Sequence, residues 1–132
     1  MLVVIDTNVL VSALWSRDGA PARVLSLVLN GALIPCYDYR ILCEYRQVLL
    51  RPKFGFSEGE ISALLDWIES SGRSVLADYS EEPFADEEDR KFYEVAKTCG
   101  AKLVTGNLKH FPKDPFVVSV AGFLKELSER GG

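Results

Sequence analysis

The chain has 132 residues, 48% of them hydrophobic, which suits one compact domain over residues 1–132 with room for a proper core. A net charge of −4 argues against broad electrostatic attraction to nucleic acid and leaves a local basic patch or a metal-bridged contact as the routes to it. No apolar run approaches the roughly 20 residues that cross a bilayer, and no basic leader precedes a long apolar stretch, so a cytoplasmic chain with no membrane association is expected.

Leu2 to Ile5 is a continuous β-branched run and reads as a strand buried on both faces; Thr7 to Leu14 begins a helix, broken by Gly19 and Pro21. Ala22 to Leu29 forms a second helix ended by Asn30 and Gly31, and Ala32 to Cys36 a second strand. Asp38 caps a third helix that runs to about Leu50, where Arg51-Pro52 stops it because a residue before proline is pushed out of the α region. Ser57-x-x-Glu60 is a capping box opening a fourth helix to about Ser70, with Gly72 terminating it. Ser74 to Ala77 reads as the third strand, Asp86 to Cys99 as a fifth helix ended by Gly100, Lys102 to Thr105 and Phe116 to Val118 as further strands, and Val120 to Glu129 as a final helix. Cys36, Cys43 and Cys99 form no C-x-x-C pair and each lies in an apolar pattern, so buried, reduced thiols are expected, without disulfides or zinc.

Apolar strands separated by helices indicate a three-layer α/β/α sandwich with a central, mostly parallel five-stranded sheet. Ligands of such sheets bind beyond the carboxyl ends of the strands, where strand order reverses. Asp6 lies there, in the stretch "VVIDTNVL". Capping the next helix explains one of Asp6, Thr7 and Asn8, but three candidate caps exceed what a helix needs.

On the third helix, Ile41, Leu42, Tyr45, Val48 and Leu49 form the expected buried face, and Glu44 falls at its rim in a stripe with Arg40, Gln47 and Arg51. An exposed pair between Arg40 and Glu44 is the plain account; a cleft-facing stripe, with the arginines reaching a phosphate backbone, is the functional one. In "DEEDRKFYEVAKTCG", Phe92, Val95, Ala96 and Cys99 form the buried stripe, and Arg90, Lys91, Glu94 and Lys97 are expected on wet faces. Asp89 lies toward the buried side in the first turn, whereas Asp86 is rotated away and reads as the N-cap. A fourth polar group, Asn107, follows the strand that ends in Thr105.

Together these stretches resemble the PIN domain family of metal-dependent nucleases. "VVIDTNVL" looks like its first-strand aspartate motif, Glu44 its third-helix glutamate, Asp89 its helix-start aspartate and "VTGN" its strand-four motif, so the resemblance extends from Met1 to Phe111. Length and the wording "TGNLKHFP" look most like VapC-like toxin ribonucleases. The resemblance implies a PIN-like sandwich, an acidic core of Asp6, Glu44 and Asp89, and Asn107 in a place often held by aspartate. It further implies cleavage of single-stranded or structured RNA to a 5′-phosphate and a 3′-hydroxyl, a small antitoxin partner and a homodimer.

Clustered carboxylates repel unless protonated or bound to a cation, and hard oxygen donors suit Mg²⁺ or Mn²⁺. Asp6 and Asp89 are then direct ligands of one ion or of two, Glu44 a ligand directly or through water, and Asn107 a water-mediated one. Thr7 and Asn8 stand at a helix N-terminus, which favours phosphate, and Thr105 closes the neighbouring strand. Arg40, Arg46, Arg51, Lys53 and Lys109 are the candidate backbone contacts. His110 reads as a surface or loop residue. Two other classes remain: a domain that only binds RNA or protein, and a phosphoaspartyl phosphotransferase, which needs a second aspartate where this chain has Asn8.

Overall fold

The computed structural model describes residues 1–130. In chain order the elements are β1 (Leu2–Ile5), α1 (Thr7–Trp15), α2 (Ala20–Leu29), β2 (Ile34–Tyr37), α3 (Tyr39–Leu49), α4 (Glu58–Ser71), β3 (Arg73–Ser74), α5 (Arg90–Cys99), β4 (Lys102–Thr105), β5 (Val117–Ser119) and α6 (Val120–Glu129). Single 3₁₀ turns occupy Pro52–Phe54, Glu87–Asp89 and Leu108–His110.

The strands pair in the order β3-β2-β1-β4-β5, and every pair is parallel. The sheet is thus parallel throughout. Val3, Val4, Leu103 and Val104 are fully buried, as strands covered on both faces require. Helix α2 packs against α1 and α6, and α3 against α4 and α5, which gives the helical layers of an α/β/α sandwich. No helix among the described residues is long and apolar enough to cross a membrane.

Local chemistry explains the boundaries. Asp38 accepts from the Ile41 N–H at 3.0 Å and Ser57 from the Glu60 N–H at 3.0 Å, so both expected caps operate. Gly72 ends α4 where a β-carbon would lie 2.3 Å from the Pro35 carbonyl oxygen, a separation only glycine permits.

Several expectations change, beginning with small shifts: α2 starts at Ala20 rather than Ala22, β2 at Ile34 rather than Ala32, and β5 is Val117–Ser119 rather than Phe116 to Val118. The third strand is Arg73–Ser74 rather than Ser74 to Ala77, because β2 ends at Tyr37 and offers nothing further to pair; Leu76 beyond it is 95% exposed. The helix expected from Asp86 begins as a 3₁₀ turn, closed by the Asp89 N–H on the Asp86 carbonyl at 3.1 Å, and becomes α-helical only at Arg90. On α3 the buried set narrows to Ile41, Tyr45 and Leu49, with Leu42 and Val48 half-buried. Of the three thiols, which are all free, Cys36 is buried, Cys99 half-buried and Cys43 exposed, since position 43 falls on the outer side of α3.

Candidate active site

From β1 the chain builds β2 and β3 to one side of the sheet and then returns to place β4 on the other, so strand order reverses between β1 and β4. Asp6 leaves the end of β1 and Thr105 ends β4 beside it. The Thr105 hydroxyl donates to Asp6 Oδ2 at 2.7 Å and accepts from the Asn107 N–H at 2.9 Å, while the Asp6 N–H donates to the Val104 carbonyl at 3.0 Å. Although Asp6 occupies the N-cap position of α1, its side chain makes no capping bond. The carboxylate is therefore aimed elsewhere. It is buried, and that burial, with the nearby charges of Asp89 and Glu44, pushes its pKa up to about 6 against the lowering effect of the Thr105 bond.

Asp89 closes the 3₁₀ turn before α5. Asp86 carries the cap, accepting from the Glu88 N–H at 3.0 Å, which leaves Asp89 without that duty. Asp89 Oδ2 is buried and has no hydrogen-bond partner; His110 Nδ1 stands 3.4 Å away without the alignment of a bond. Burial and the charges of Asp86 and Glu44 raise the Asp89 pKa, opposed by His110 and Lys91.

Glu44, on α3, accepts from the Thr7 hydroxyl through Oε2 and pairs with Lys91 Nζ at 2.7 Å through Oε1. The expected Arg40 partner is engaged elsewhere, with Asp38 at 2.7 Å and Glu94 at 2.8 Å. Lys91 and Glu94, expected on wet faces of α5, are instead buried, because each meets an opposite charge carried in by α3. Glu94 additionally accepts from the Ser80 N–H at 2.8 Å. Sequence reasoning missed these two residues. Helical periodicity assigns them outward, and nothing local announces partners so distant along the chain.

The remaining candidates divide. Asn107, Lys109 and His110 line an open cleft of about 560 Å³ with Thr105, and Arg40, Glu44 and Lys91 line another of about 410 Å³ with Gln47. Asn8 Oδ1 accepts from the Gly106 N–H at 3.3 Å, tying the β1 and β4 turns together. Arg46, Arg51 and Lys53 are exposed but line neither cleft; Lys53 lies over the Phe54 ring, 5.2 Å from its centre. A more apolar cleft lined by Leu108, Phe111, Pro112 and Pro115 holds none of the acidic trio.

Residues 2–109 match the model of the PIN domain family. The chain belongs to the PIN domain family. PIN domains are generally nucleases, which supports a hydrolase reading of this one. It is 32% identical over 108 residues to an uncharacterized protein of Methanocaldococcus jannaschii, covering 80% of this chain and 70% of the relative. It also resembles the crystal structure of VapBC2 from Rickettsia felis bound to a DNA fragment from their promoter, with a TM-score of 0.57 over 90% of this chain and 97% of that one. At 18% identity that likeness speaks to the fold.

PIN nucleases usually use divalent metals, and the donors of this PIN domain fit one in kind. Asp89 has a buried oxygen without a partner, and Asp6 carries a carboxyl whose charge is opposed by its surroundings until a cation answers it. Among the described residues no three His, Cys, Asp or Glu side chains gather closely enough to close around one ion. Two carboxylates suffice for Mg²⁺, which keeps several waters and takes one or two protein carboxylates.

Proposed function

We propose that this PIN domain is a Mg²⁺- or Mn²⁺-dependent endoribonuclease that cuts single-stranded or structured RNA and is the toxin of a toxin-antitoxin pair. The observation that carries the reading is the buried Asp89 oxygen without a hydrogen bond, on a carboxylate whose charge reaches the buried Asp6 carboxyl at the strand-order reversal of the sheet.

Asp6 and Asp89 would hold the ion, which would polarise the phosphate and make an attacking water more acidic. Thr105 holds the Asp6 carboxylate in one orientation through its hydroxyl. Asn107, in the cleft with Thr105, would hold a water of the metal centre. Thr7 and Asn8 open α1 and present backbone N–H groups that favour a phosphate. Lys109, in the cleft with Asn107, would pair with the RNA backbone, and Arg46, Arg51 and Lys53 would bind further along the strand. Cleavage leaves a 5′-phosphate and a 3′-hydroxyl.

The toxin assignment and its small antitoxin are supported by the shared fold with the Rickettsia felis pair. Trp15 and Leu29, 62% and 49% accessible, are apolar side chains that a homodimer or the antitoxin would cover. Incubating purified protein with a defined single-stranded RNA, in Mn²⁺ and in chelator, tests the activity. Cleavage only with metal, giving 5′-phosphorylated products, is expected. No cleavage under either condition overturns it.

A further inference from the structure

The Lys91 ammonium lies inside the acidic centre. Its side chain is 7% exposed, and Nζ meets Glu44 Oε1 at 2.7 Å, Glu88 Oε2 at 2.9 Å and the Glu88 carbonyl oxygen. The ammonium thus donates two hydrogen bonds to Glu88 and forms an ion pair with Glu44, so oxygens of two separate elements surround it. An ammonium is strongly hydrated and goes unburied unless charge and hydrogen bonds replace its water. Here they do. A helix-surface pair would need only Glu88, three residues away; the contact with Glu44 reaches across to α3 and defines one wall of the site.

The charge balance bears on how many divalent ions the centre takes. Asp6, Glu44 and Asp89 bring three negative charges, and Lys91 returns one positive, leaving two: the charge of one divalent ion. Glu88 adds little, since its side chain is 77% exposed and screened by solvent. Glu44 has both oxygens engaged, by Lys91 and by the Thr7 hydroxyl. With Lys91 on Glu44, the three carboxylates do not gather around one ion among the described residues, and the oxygen without a hydrogen bond belongs to Asp89.

We infer that Lys91 is the resident second cation of the centre, holding Glu44 by its ammonium so that the site takes a single divalent ion on Asp6 and Asp89. Lys91 is a positioning residue, acting through Glu44. This inference rests on the proposed reading of Asp6 and Asp89 as metal donors.

Titration with Mn²⁺ alone, followed by calorimetry and by the electron paramagnetic resonance of free Mn²⁺, tests it without any activity assay. Wild type is expected to bind one equivalent. Lys91→Met, which keeps the stem and removes the charge, is expected to bind two, the first roughly tenfold tighter because a nearby like charge is gone. Lys91→Arg restores one equivalent, and Glu44→Gln/Lys91→Met also binds one, since no free third carboxylate remains. If Lys91→Met is too unstable to titrate, its melting temperature must rise more with millimolar Mn²⁺ than that of wild type. Two equivalents in wild type, or a Lys91→Met variant with wild-type stoichiometry and affinity, or with an equal thermal shift, overturns the inference and leaves the metal reading intact. No binding by wild type overturns both.

Discussion

The Thr105 hydroxyl donates to Asp6 Oδ2 at 2.7 Å and accepts from the Asn107 N–H at 2.9 Å, joining the ends of β1 and β4 through one buried oxygen. Thr105→Val keeps the shape and removes both bonds, leaving the Asn107 N–H without its partner. A loss of about 1–3 kcal/mol is expected, since the cost is that of desolvated groups left unpaired. Urea denaturation measures it, and Mn²⁺ affinity should fall in parallel as Asp6 loses its fixed orientation. An unchanged midpoint would show that this bridge contributes nothing.

Asp86 and Asp89 stand three residues apart and do different work: Asp86 caps the turn and Asp89 keeps a buried oxygen without a hydrogen bond. Asp89→Asn is expected to reduce RNA cleavage by about 100-fold or more, a loss on the order of 3 kcal/mol of transition-state stabilisation. Asp86→Asn should stay within a few-fold, because asparagine caps nearly as well as aspartate. Assaying both on one RNA decides it; a dead Asp86→Asn beside an active Asp89→Asn would reverse the assignment.

Much of this was legible in the sequence because it is local. The β-branched run of β1, the Asp38 and Ser57 caps and the Gly100 stop, in the left-handed region at φ 70°, all act within a few residues. Asp6 was legible for a related reason, as a carboxylate at a strand end with other caps available beside it. What was hidden is tertiary. The shortness of β3 depends on where β2 stops, and the burial of Lys91 and Glu94 depends on Glu44 and Arg40 of another helix. Periodicity on α5 assigns those two residues by polarity, whereas neutralisation by a partner decides their place.

The acid range should expose Asp6. Its folded pKa is raised from 3.8 to about 6, chiefly by burial, so the folded state binds this proton more tightly than the unfolded chain. Its carboxylate therefore imposes no penalty below pH 3.8, and stability falls as pH rises from there to about 6, levelling above. The loss is on the order of 2–3 kcal/mol, since each tenfold difference in proton affinity between the folded and unfolded states is worth about 1.4 kcal/mol. Metal-free urea midpoints across this range should show the decline in wild type and lack this component in Asp6→Asn. Identical profiles would remove Asp6 as the cause.

The central claim is that Asp6 and Asp89 hold a divalent ion, and scanning calorimetry at neutral pH with and without Mn²⁺ tests it most directly. At ten times the dissociation constant, bound metal adds RT ln 11, about 1.4 kcal/mol, which raises the melting temperature of a domain this size by roughly 3–8 °C. The Asp6 side chain has no capping bond to lose, so Asp6→Asn should melt higher than wild type without metal and respond little to Mn²⁺. A Mn²⁺ shift in Asp6→Asn equal to that of wild type, or none in wild type, would contradict the account.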